Sequence, residues 1–333
     1  MRILVATDAW RPQVNGVVRS LEQTAKAAQE HGVEFVFLSP NGFASLPLPS
    51  YGEIRLALAT PGQIARQIDA AGADFIHIAT EGPIGFFTRQ ACLRRGRIFT
   101  TSYHTRFPEY ISARVPLPES WSYAALRRFH NAGAGTMVST PSFERELAGR
   151  GFQRLMRWSR GVDHTLFRPR AERIFDLPGP IFLYVGRVAV EKNIEAFLRL
   201  DLPGTKLVVG DGPSLKGLKA AYPAVTFLGA RHGEELARLF ASADVFVFPS
   251  RTDTFGLVLL EALASGTPVA AYPVTGPIDV IGKAPVGVLH EDLRTAALKA
   301  LDIPREASRA YAEQFSWARS TEQFLAHLPV ISP

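Results

Sequence analysis

The chain has 333 residues, more than one ordinary hydrophobic core needs, which favours two domains or one large α/β unit. Its 47% hydrophobic and 20% charged residues exclude a disordered or fibrous protein. A single cysteine, Cys92, excludes an internal disulfide and a cysteine metal cluster and favours the cytoplasm. The N-terminal apolar run is too short for a signal peptide, and no stretch of about 18 apolar residues follows, so we expect no membrane-spanning helix.

The net charge of +6 is concentrated in one region. Residues 86–170 contain 15 arginines and 5 acidic residues, whereas the rest of the chain is slightly acidic. An arginine-rich surface suits nucleic acid, anionic lipid or a phosphorylated ligand, and composition alone does not choose among them. Solvated helix faces are an alternative explanation for any one of these arginines.

Strand-like and helix-like segments alternate almost from end to end, which predicts parallel sheets covered by helices on both faces. The predicted strands of the first half are 3–6, 34–38, 75–78, 98–101 and 135–138. Those of the second half are 181–185, 206–209, 225–227, 245–248 and 268–271. Amphipathic segments typical of helices include 17–30, 64–71 and 234–241. The sequence therefore predicts two doubly wound halves.

A proline-bearing segment without clear periodicity, 166–180, separates the halves and is the predicted linker. We therefore place a first domain at 1–168 and a second at 169–304. The remaining residues, 305–333, have a helical pattern with no strand after it. We expect these helices to cross back to the first domain.

The sequence lacks several common catalytic and phosphate-binding motifs. G-x-x-x-x-G-K-[ST], H-E-x-x-H and G-x-S-x-G do not occur, and no two aspartates stand at the D-x-D spacing that often joins a metal ion to a diphosphate. We therefore expect no metal ion. The turn 210–213 superficially resembles a dinucleotide fingerprint, but Leu215 stands where the third glycine belongs. The simpler interpretation is a tight turn with Pro213 at the first position of a helix.

The most informative segment is 249–266, which follows the predicted strand 245–248 and contains an apolar run typical of a buried helix. Its polar link, 250–254, therefore lies at the carboxyl edge of a parallel sheet. Ligands of open α/β sheets bind at that edge.

The helix in this segment offers groups that suit a nucleoside diphosphate. A helix beginning near Phe255 would direct free backbone N–H groups at a phosphate, and Gly256 would allow close approach. Glu261, a carboxylate on an otherwise apolar helix, needs hydrogen-bond donors such as ribose hydroxyls. The alternative is that Asp253 caps the helix and Glu261 is a paired buried acid.

Segment 185–193 repeats the pattern of strand end, glycine turn and helix start. Arg187 and Lys192 lie there, at the same edge of the same predicted sheet. Two cations in one turn region can stabilise the charge that develops on a leaving diphosphate without a metal ion.

Two elements of the first half also follow strands. Gly16 opens the first helix, where a backbone can approach a phosphate or sugar. His104 comes directly after the predicted strand 98–101 and can hydrogen-bond a sugar hydroxyl or move a proton near neutral pH. An isolated histidine is more often structural, and its place at the strand edge favours a functional role.

Together these segments resemble the retaining glycosyltransferases of family 4, and the resemblance covers nearly the whole chain. Asp253 and Glu261 occupy the two acidic positions of that family's E-x7-E motif, with Asp253 where many members have glutamate. Arg187 and Lys192 match its diphosphate-binding basic pair. The strings around Tyr103–Thr105, 229–236 and 252–257 are most similar to the branch with sulfoquinovosyl- and glucosyl-diacylglycerol synthases and phosphoinositide mannosyltransferases.

The resemblance implies the α/β architecture called GT-B, two Rossmann-like doubly wound domains that face a central cleft. It implies same-face substitution on a nucleotide-sugar, with the departing phosphate assisting deprotonation of the acceptor hydroxyl. The implied catalytic residues are His104, Asp253, Arg187 and Lys192. The implied donor-binding residues are Gly16, Arg231, Thr254, Phe255, Gly256, Leu257 and Glu261.

The leading hypothesis is a metal-independent transferase that moves a sugar from a donor of the UDP-glucose or UDP-glucuronate type to diacylglycerol. The basic and aromatic stretch 114–128 suggests peripheral binding to anionic lipid at the inner face of the cell membrane. One alternative is a GDP-mannose-dependent enzyme for a phosphoinositide or a polysaccharide. Another is a non-catalytic sugar-nucleotide sensor. No nucleic-acid-binding module is recognisable, so we expect no nucleic-acid partner.

Overall fold

The computed structural model describes residues 1–13, 15–48, 51–112, 118–174 and 176–329. The chain divides into two compact units. The first unit is Met1–Ser159 together with the segment that begins at Trp317, and the second is Arg160–Ser316. Within the described residues, no helix is both long and apolar enough to cross a membrane.

The first unit is built on a parallel sheet with strand order β2-β1-β5-β6-β7-β8, beside a hairpin of β3 and β4. Its strands are β1 Arg2–Ala6, β2 Glu34–Leu38, β3 Ser45–Leu48, β4 Tyr51–Ala57, β5 Phe75–Ile78, β6 Thr100–Ser102, β7 Gly135–Val138 and β8 Leu155–Arg157. Its helices up to residue 159 are α1 Gly16–Ala28, α2 Pro61–Ala71, α3 Pro83–Arg94, α4 Phe107–Ser112, α5 Glu119–His130 and α6 Pro141–Gly149.

Alternate residues of β1 enter two different cores, because successive strand side chains point to opposite faces of a sheet. Leu4 and Ala6 belong to one core cluster, and Ile3 and Val5 belong to another. The sheet is thus covered on both faces, as predicted. Helix α1 begins after Asn15, whose side-chain oxygen accepts hydrogen bonds from the backbone of the first turn, the signature of an N-cap.

The second unit has the strand order β11-β10-β9-β12-β13-β14, the order of a Rossmann fold. Its strands are β9 Ile181–Val185, β10 Thr205–Val209, β11 Thr226–Gly229, β12 Val245–Phe248, β13 Val269–Ala271 and β14 Gly287–Leu289. Its helices are α7 Ile194–Leu198, α8 Leu215–Ala221, α9 Gly233–Ser242, α10 Leu257–Ala264, α11 Pro277–Val280, α12 Leu293–Ala300 and α13 Arg305–Ala312. Strand β9 again alternates between two cores, with Leu183 in one and Tyr184 in the other.

The last helix, α14 Trp317–Ala326, returns to the first unit. Its Phe324 is fully buried in the core cluster that contains Trp158. The Trp158 indole N–H donates to Ser320 Oγ at 3.2 Å, and the Ser159 backbone N–H donates to Gln323 Oε1 at 2.9 Å. These contacts explain why α14 is part of the first unit although it is last in the chain.

The units divide at 159/160 and at 316/317, whereas the sequence placed the boundaries at 168/169 and 304/305. Phe167 is buried in the core of the second unit, and residues 160–168, which the sequence placed in the first domain, belong to that unit. Arg309 of α13 donates to the carbonyls of Phe167 and Ala264 at 3.0 and 3.1 Å. Of the helices in 305–333, α13 therefore stays with the second unit and α14 returns to the first.

The structure adds short elements that the hydrophobic pattern did not predict. Edge strands β8 and β14 have three residues each, too few to show an alternating pattern. The hairpin of β3 and β4 pairs Ser45 with Ala57 and Leu46 with Leu56. Strand β6 covers 100–102 rather than 98–101. Within the predicted linker 166–180, Phe175 lies outside the described residues.

Candidate active site

The strand order of the second sheet reverses between β9 and β12, which makes this the topological switch point of the sheet. Ligands of open α/β sheets bind outside the carboxyl ends of the strands at such a point. The loop after β9 carries Arg187 and Lys192, and the loop after β12 carries Asp253 and Thr254. The structure thus brings together the two segments that the sequence singled out separately.

A short ion pair joins the two loops. Lys192 Nζ lies 2.5 Å from Asp253 Oδ1, and the two side chains are 21% and 18% exposed. The Thr252 hydroxyl donates to the Glu191 carbonyl at 3.2 Å, and the Asn193 side-chain amide donates to the Pro249 carbonyl at 3.0 Å. The predicted diphosphate-binding cation and the predicted sugar-orienting carboxylate are therefore direct partners.

Arg187 is held by its own loop and by the strand before it. Its Nε lies 3.9 Å from Glu191 Oε1, and the Glu191 side chain is only 7% exposed. The Tyr184 hydroxyl donates to the Arg187 carbonyl at 2.7 Å, and burial raises the pKa of that hydroxyl. Glu191 was missed by sequence reasoning, although its position four residues after a key arginine was a signal.

Helix α10 begins at the switch point without a side-chain cap. Its N-cap is Gly256, with φ 85° and ψ 75°, a left-handed conformation in which any side chain is strained. The alternative in which Asp253 caps this helix is therefore wrong. The side chain of Phe255 is buried in the core and that of Leu257 packs against it, which leaves only their backbone groups to meet a ligand.

Two further residues lie next to the loop after β12: Glu261 on α10 and Gly276, which packs against the backbone of that loop. Glu261 lies on α10 and is 4% exposed. A Cβ at Gly276 would lie 3.0 Å from the Phe255 carbonyl oxygen and 3.4 Å from that of Asp253. The backbone of the β12 loop is thus packed against a glycine far along the chain, a dependence that the sequence did not reveal.

The turn 210–213 supports the loop after β9. A Cβ at Gly212 would lie 2.4 Å from the Val188 carbonyl oxygen, and the Val188 backbone N–H donates to the Asp211 carbonyl at 2.9 Å. The interpretation as a tight turn fits this packing. Pro213 does not occupy the first position of a helix, because α8 begins two residues later at Leu215.

Arg231 lies in the loop after β11, two strands away from the switch point. Its Nε is 2.7 Å from Glu235 Oε1 on α9. In this structure the ion pair with Glu235 holds Arg231, and its predicted contact with the donor stays a prediction.

The remaining two predicted residues lie in the first unit. His104 follows β6, as predicted, and its ring meets the indole of Trp158 edge-on, with centroids 5.7 Å apart and planes at 71°. Gly16 is the first residue of α1. The Asn15 side-chain oxygen accepts from the N–H groups of Val17 and Val18 at 3.0 and 3.1 Å, so it already occupies two donors of this helix start.

Asp8, which sequence reasoning missed, lies at the switch point of the first sheet, between β1 and β5. Its carboxylate accepts from the Ile84 N–H at 2.9 Å, the Thr80 hydroxyl at 2.9 Å and the Gly85 N–H at 3.3 Å. Burial raises the pKa of this carboxyl above its ordinary value, and the hydrogen bonds oppose that shift in part. A carboxylate directly after the first strand was the available signal.

Among the described residues, no group of three or more His, Cys, Asp or Glu side chains is placed to hold a metal ion.

Comparisons with known proteins agree with this architecture. The family model described as Glycosyltransferase Family 4 matches residues 14–166, and that described as Glycosyl transferases group 1 matches residues 179–303. A GDP-mannose-dependent alpha-mannosyltransferase of Mycobacterium tuberculosis is 31% identical over 315 aligned positions, gaps included, and the match covers 87% of this chain and 83% of the relative. The chain belongs to family 4 of the glycosyltransferases. The resemblance noted in the sequence is thus confirmed.

The relatives of this family 4 glycosyltransferase differ in the sugar that their names specify. A sulfoquinovosyl transferase of Arabidopsis thaliana is 32% identical over 315 aligned positions, gaps included, and the match covers 84% of this chain and 61% of the relative. Among solved structures, the sucrose-phosphate synthase of Thermosynechococcus elongatus superimposes with a TM-score of 0.78 at 22% identity. Anabaena HepE in complex with UDP gives 0.72 at 16% identity. Each likeness covers at least 97% of both chains. The predicted GT-B fold of two Rossmann-like domains is confirmed.

Proposed function

We propose that this glycosyltransferase moves a hexosyl group from a nucleotide-sugar to a lipid acceptor at a membrane surface, with retention of configuration at the anomeric carbon. The observation that carries the donor half is the meeting of Arg187, Lys192 and the uncapped start of α10 at one sheet edge. Cations and aligned N–H groups stabilise the negative charge that develops when a diphosphate leaves.

Each group at the switch point has a role in this proposal. The Lys192 ammonium has three donors, so it can keep its bond to Asp253 and still donate to a phosphate oxygen. Asp253, fixed by that bond, orients the donor sugar. Glu261 accepts hydrogen bonds from the ribose hydroxyls. The departing phosphate takes the proton of the acceptor hydroxyl. The acceptor oxygen then bonds to the anomeric carbon on the same face of the sugar from which the phosphate departs.

Two donors are proposed, a UDP-sugar and GDP-mannose. A UDP-sugar is the donor expected from the sequence, and the sulfoquinovosyl transferase of Arabidopsis is one relative. GDP-mannose is favoured by relatives from Mycobacterium tuberculosis, Corynebacterium glutamicum and Mycolicibacterium smegmatis, each described as a GDP-mannose-dependent alpha-mannosyltransferase.

A thermal-shift series with UDP, GDP and ADP tests the donor. A ligand at about 100 times its Kd stabilises the folded state by about 2.7 kcal/mol, which is readily measured. The nucleotide that stabilises the protein is then supplied as its radiolabelled sugar conjugates, with lipid extracts as acceptors. Nucleotide binding without transfer or hydrolysis of any donor would instead identify a non-catalytic sensor.

Transfer is expected to continue in excess chelator. Arg187 and Lys192 supply positive charge at the place where other transferases use a metal ion bound through D-x-D. The measurement compares initial rates with and without EDTA after dialysis. A complete loss of transfer that Mg²⁺ or Mn²⁺ restores would show that the two cations do not replace a metal ion.

The membrane half of the proposal depends on exposed aromatic, apolar and basic side chains of two helices of the first unit, α3 and α5. Trp121 on α5 is 69% exposed, and Arg128, seven residues later on the same helix, is also exposed. Phe86 and Leu93 on α3 are each 48% exposed. Exposed aromatic and basic side chains of this kind suit the interface of an anionic bilayer. Residues 114–117 of the predicted stretch 114–128 lie outside the described residues.

Replacing Arg128 by glutamate is expected to weaken sedimentation with anionic liposomes and to make residual binding less dependent on salt. Each basic residue near such a surface contributes about 1 kcal/mol, so reversal of one charge corresponds to a loss of more than about tenfold. Arg127 is less suitable, because its guanidinium donates to the Arg150 carbonyl at 2.9 Å. Lys283→Glu, at an exposed position of the second unit, is the matched control. If the wild type does not sediment even at low salt, the lipid acceptor is excluded.

A further inference from the structure

A buried arginine lies two residues after His104, in the loop that follows β6. Arg106 is 9% exposed, although an arginine is seldom buried unless its charge is paired. Its Nη2 donates to Glu146 Oε2 at 2.6 Å and its Nη1 donates to Glu146 Oε1 at 3.0 Å, so this pair is bidentate. Nη1 also donates to Glu109 Oε1 at 3.0 Å. The roles proposed above do not use this buried charge.

The two acceptors of Arg106 lie on different helices, and a third helix is joined to them. Glu109 is on α4, and Glu146 is on α6. The Tyr123 hydroxyl of α5 donates to Glu109 Oε1 at 2.7 Å. Arg150, directly after α6, places its Cζ 3.7 Å from the centre of the Tyr123 ring and donates to Glu146 Oε1 at 3.3 Å. Two arginines and two carboxylates thus compensate one another and connect the loop after β6 to three helices.

The residue before His104 is anchored in the core. Tyr103 is fully buried, and its backbone N–H donates to the Met137 carbonyl of β7 at 3.0 Å. The Tyr103 ring meets the ring of Phe143 edge-on, with centroids 5.2 Å apart. Arg106 Cζ lies 4.7 Å from the centroid of the same Phe143 ring. Phe143 of α6 therefore packs against residues on both sides of His104 in the chain.

His104 is held by its chain neighbours and by a ring contact. Tyr103 and Arg106 fix the backbone before and after it, and the Trp158 indole meets its ring edge-on. Groups that perform chemistry need an orientation set by packing and by the hydrogen bonds of their neighbours. A lysine in place of Arg106 would keep the charge, but it lacks the planar fork that bonds both oxygens of a carboxylate.

We propose that Arg106 is a positioning residue, which fixes the loop after β6 so that the His104 imidazole keeps the orientation that sugar transfer requires. Its Nη groups are bonded to carboxylates of the protein, so Arg106 acts through His104 and not on a substrate. This inference rests on the proposed sugar transfer and on the role predicted for His104.

Arg106→Lys is the first test. It is expected to lower kcat at least about tenfold, because a displacement of a reacting group by about 1 Å can cost about a hundredfold. KM for the donor is expected to stay the same, since the predicted diphosphate-binding pair is on the second unit. Arg145→Lys, at an exposed position of α6, is the matched control and is expected to leave kcat unchanged. A normal kcat in Arg106→Lys would overturn the inference.

A double-mutant cycle shows whether Arg106 acts through His104. In a His104→Ala background, Arg106→Lys is expected to lower kcat no further, because the group that it positions is already missing. A full additional loss in that background contradicts the positioning role. So does normal transfer by His104→Ala. In both of these outcomes sugar is still transferred, so the transferase proposal stands while this inference fails.

A second variant covers the case in which Arg106→Lys does not fold. Arg106→Gln combined with Glu146→Gln removes both charges and keeps the size of both side chains. Removing both partners of a buried pair leaves no uncompensated charge between them, unlike removing one. The same loss of kcat is expected in the folded double variant. A kcat equal to that of the wild type would count against the inference.

Nuclear magnetic resonance of protein labelled with ¹⁵N at histidine tests the orientation without any donor. His104→Ala identifies the His104 ring signals, which Arg106→Lys is expected to shift and Arg145→Lys is not. If the wild type transfers no sugar from any donor, the transferase proposal fails, and shifted His104 signals still support the positioning by Arg106. Unchanged His104 signals in Arg106→Lys would overturn it.

Discussion

Replacing Lys192 by alanine is expected to lower the rate of sugar transfer by at least about a hundredfold, because a positioned charge at a leaving group contributes on that scale. Lys192 lies at the switch point, fixed by its 2.5 Å contact with Asp253. Lys219→Ala, at an exposed position of α8 in the same unit, is the matched control and is expected to be neutral. Glu261→Ala is expected to produce a loss of similar size through weaker donor binding.

The kinetic parameters separate these two roles. If Lys192 stabilises charge that appears only in the transition state, its removal lowers kcat more than it raises KM for the donor. If Glu261 holds the ribose in both states, its removal chiefly raises KM. Near-normal transfer by a folded Lys192→Ala protein would show that Lys192 does not take part in the transfer reaction.

The partnership of Lys192 with Asp253 offers a further test of the same site. Asp253→Asn keeps the size of the side chain and removes the charge that Lys192 faces. The lysine charge is then less compensated, so the affinity for free nucleoside diphosphate is expected to rise while transfer falls, because the sugar loses its orienting carboxylate. A parallel loss of both would indicate that Asp253 serves mainly to position Lys192.

The meeting of the loops after β9 and β12 at one sheet edge could be predicted from sequence because its signals are local. A buried strand, a glycine turn and a helix start follow one another within segments 185–193 and 249–266. Each pattern alone places a loop at a sheet edge. The Rossmann strand order then puts β9 next to β12, so both loops meet at one switch point.

What the sequence could not reveal depends on contacts between distant segments. Gly276 is required by the carbonyls of 253–255, and Asp8 meets Thr80 and the start of α3 more than seventy positions away. A hollow lined by Trp10, Asn41 and Arg55 joins three segments that are separate in the chain. Contacts of this kind leave no periodicity or motif in the sequence, because none of the segments has an unusual local pattern.

The return of α14 to the first unit leads to the largest expected effect on stability. Phe324 is fully buried, 5.0 Å between ring centroids from both Trp158 and His77. Replacing it by alanine is expected to cost about 3–5 kcal/mol, from lost burial and the cavity left behind. For a unit of this size, that corresponds to a fall in Tm on the order of 10 °C.

Glu322→Ala, on the exposed face of the same helix, is the matched control and is expected to leave Tm unchanged within about 1–2 °C. Calorimetry would follow unfolding, and nucleotide affinity would be measured at a temperature where the Phe324→Ala protein is still folded. Because Arg187, Lys192 and Glu261 all belong to the second unit, that affinity is expected to persist in the folded variant. An unchanged Tm would mean that α14 contributes little to the core around Trp158, and the assignment of residues 317–329 to the first unit would then be wrong.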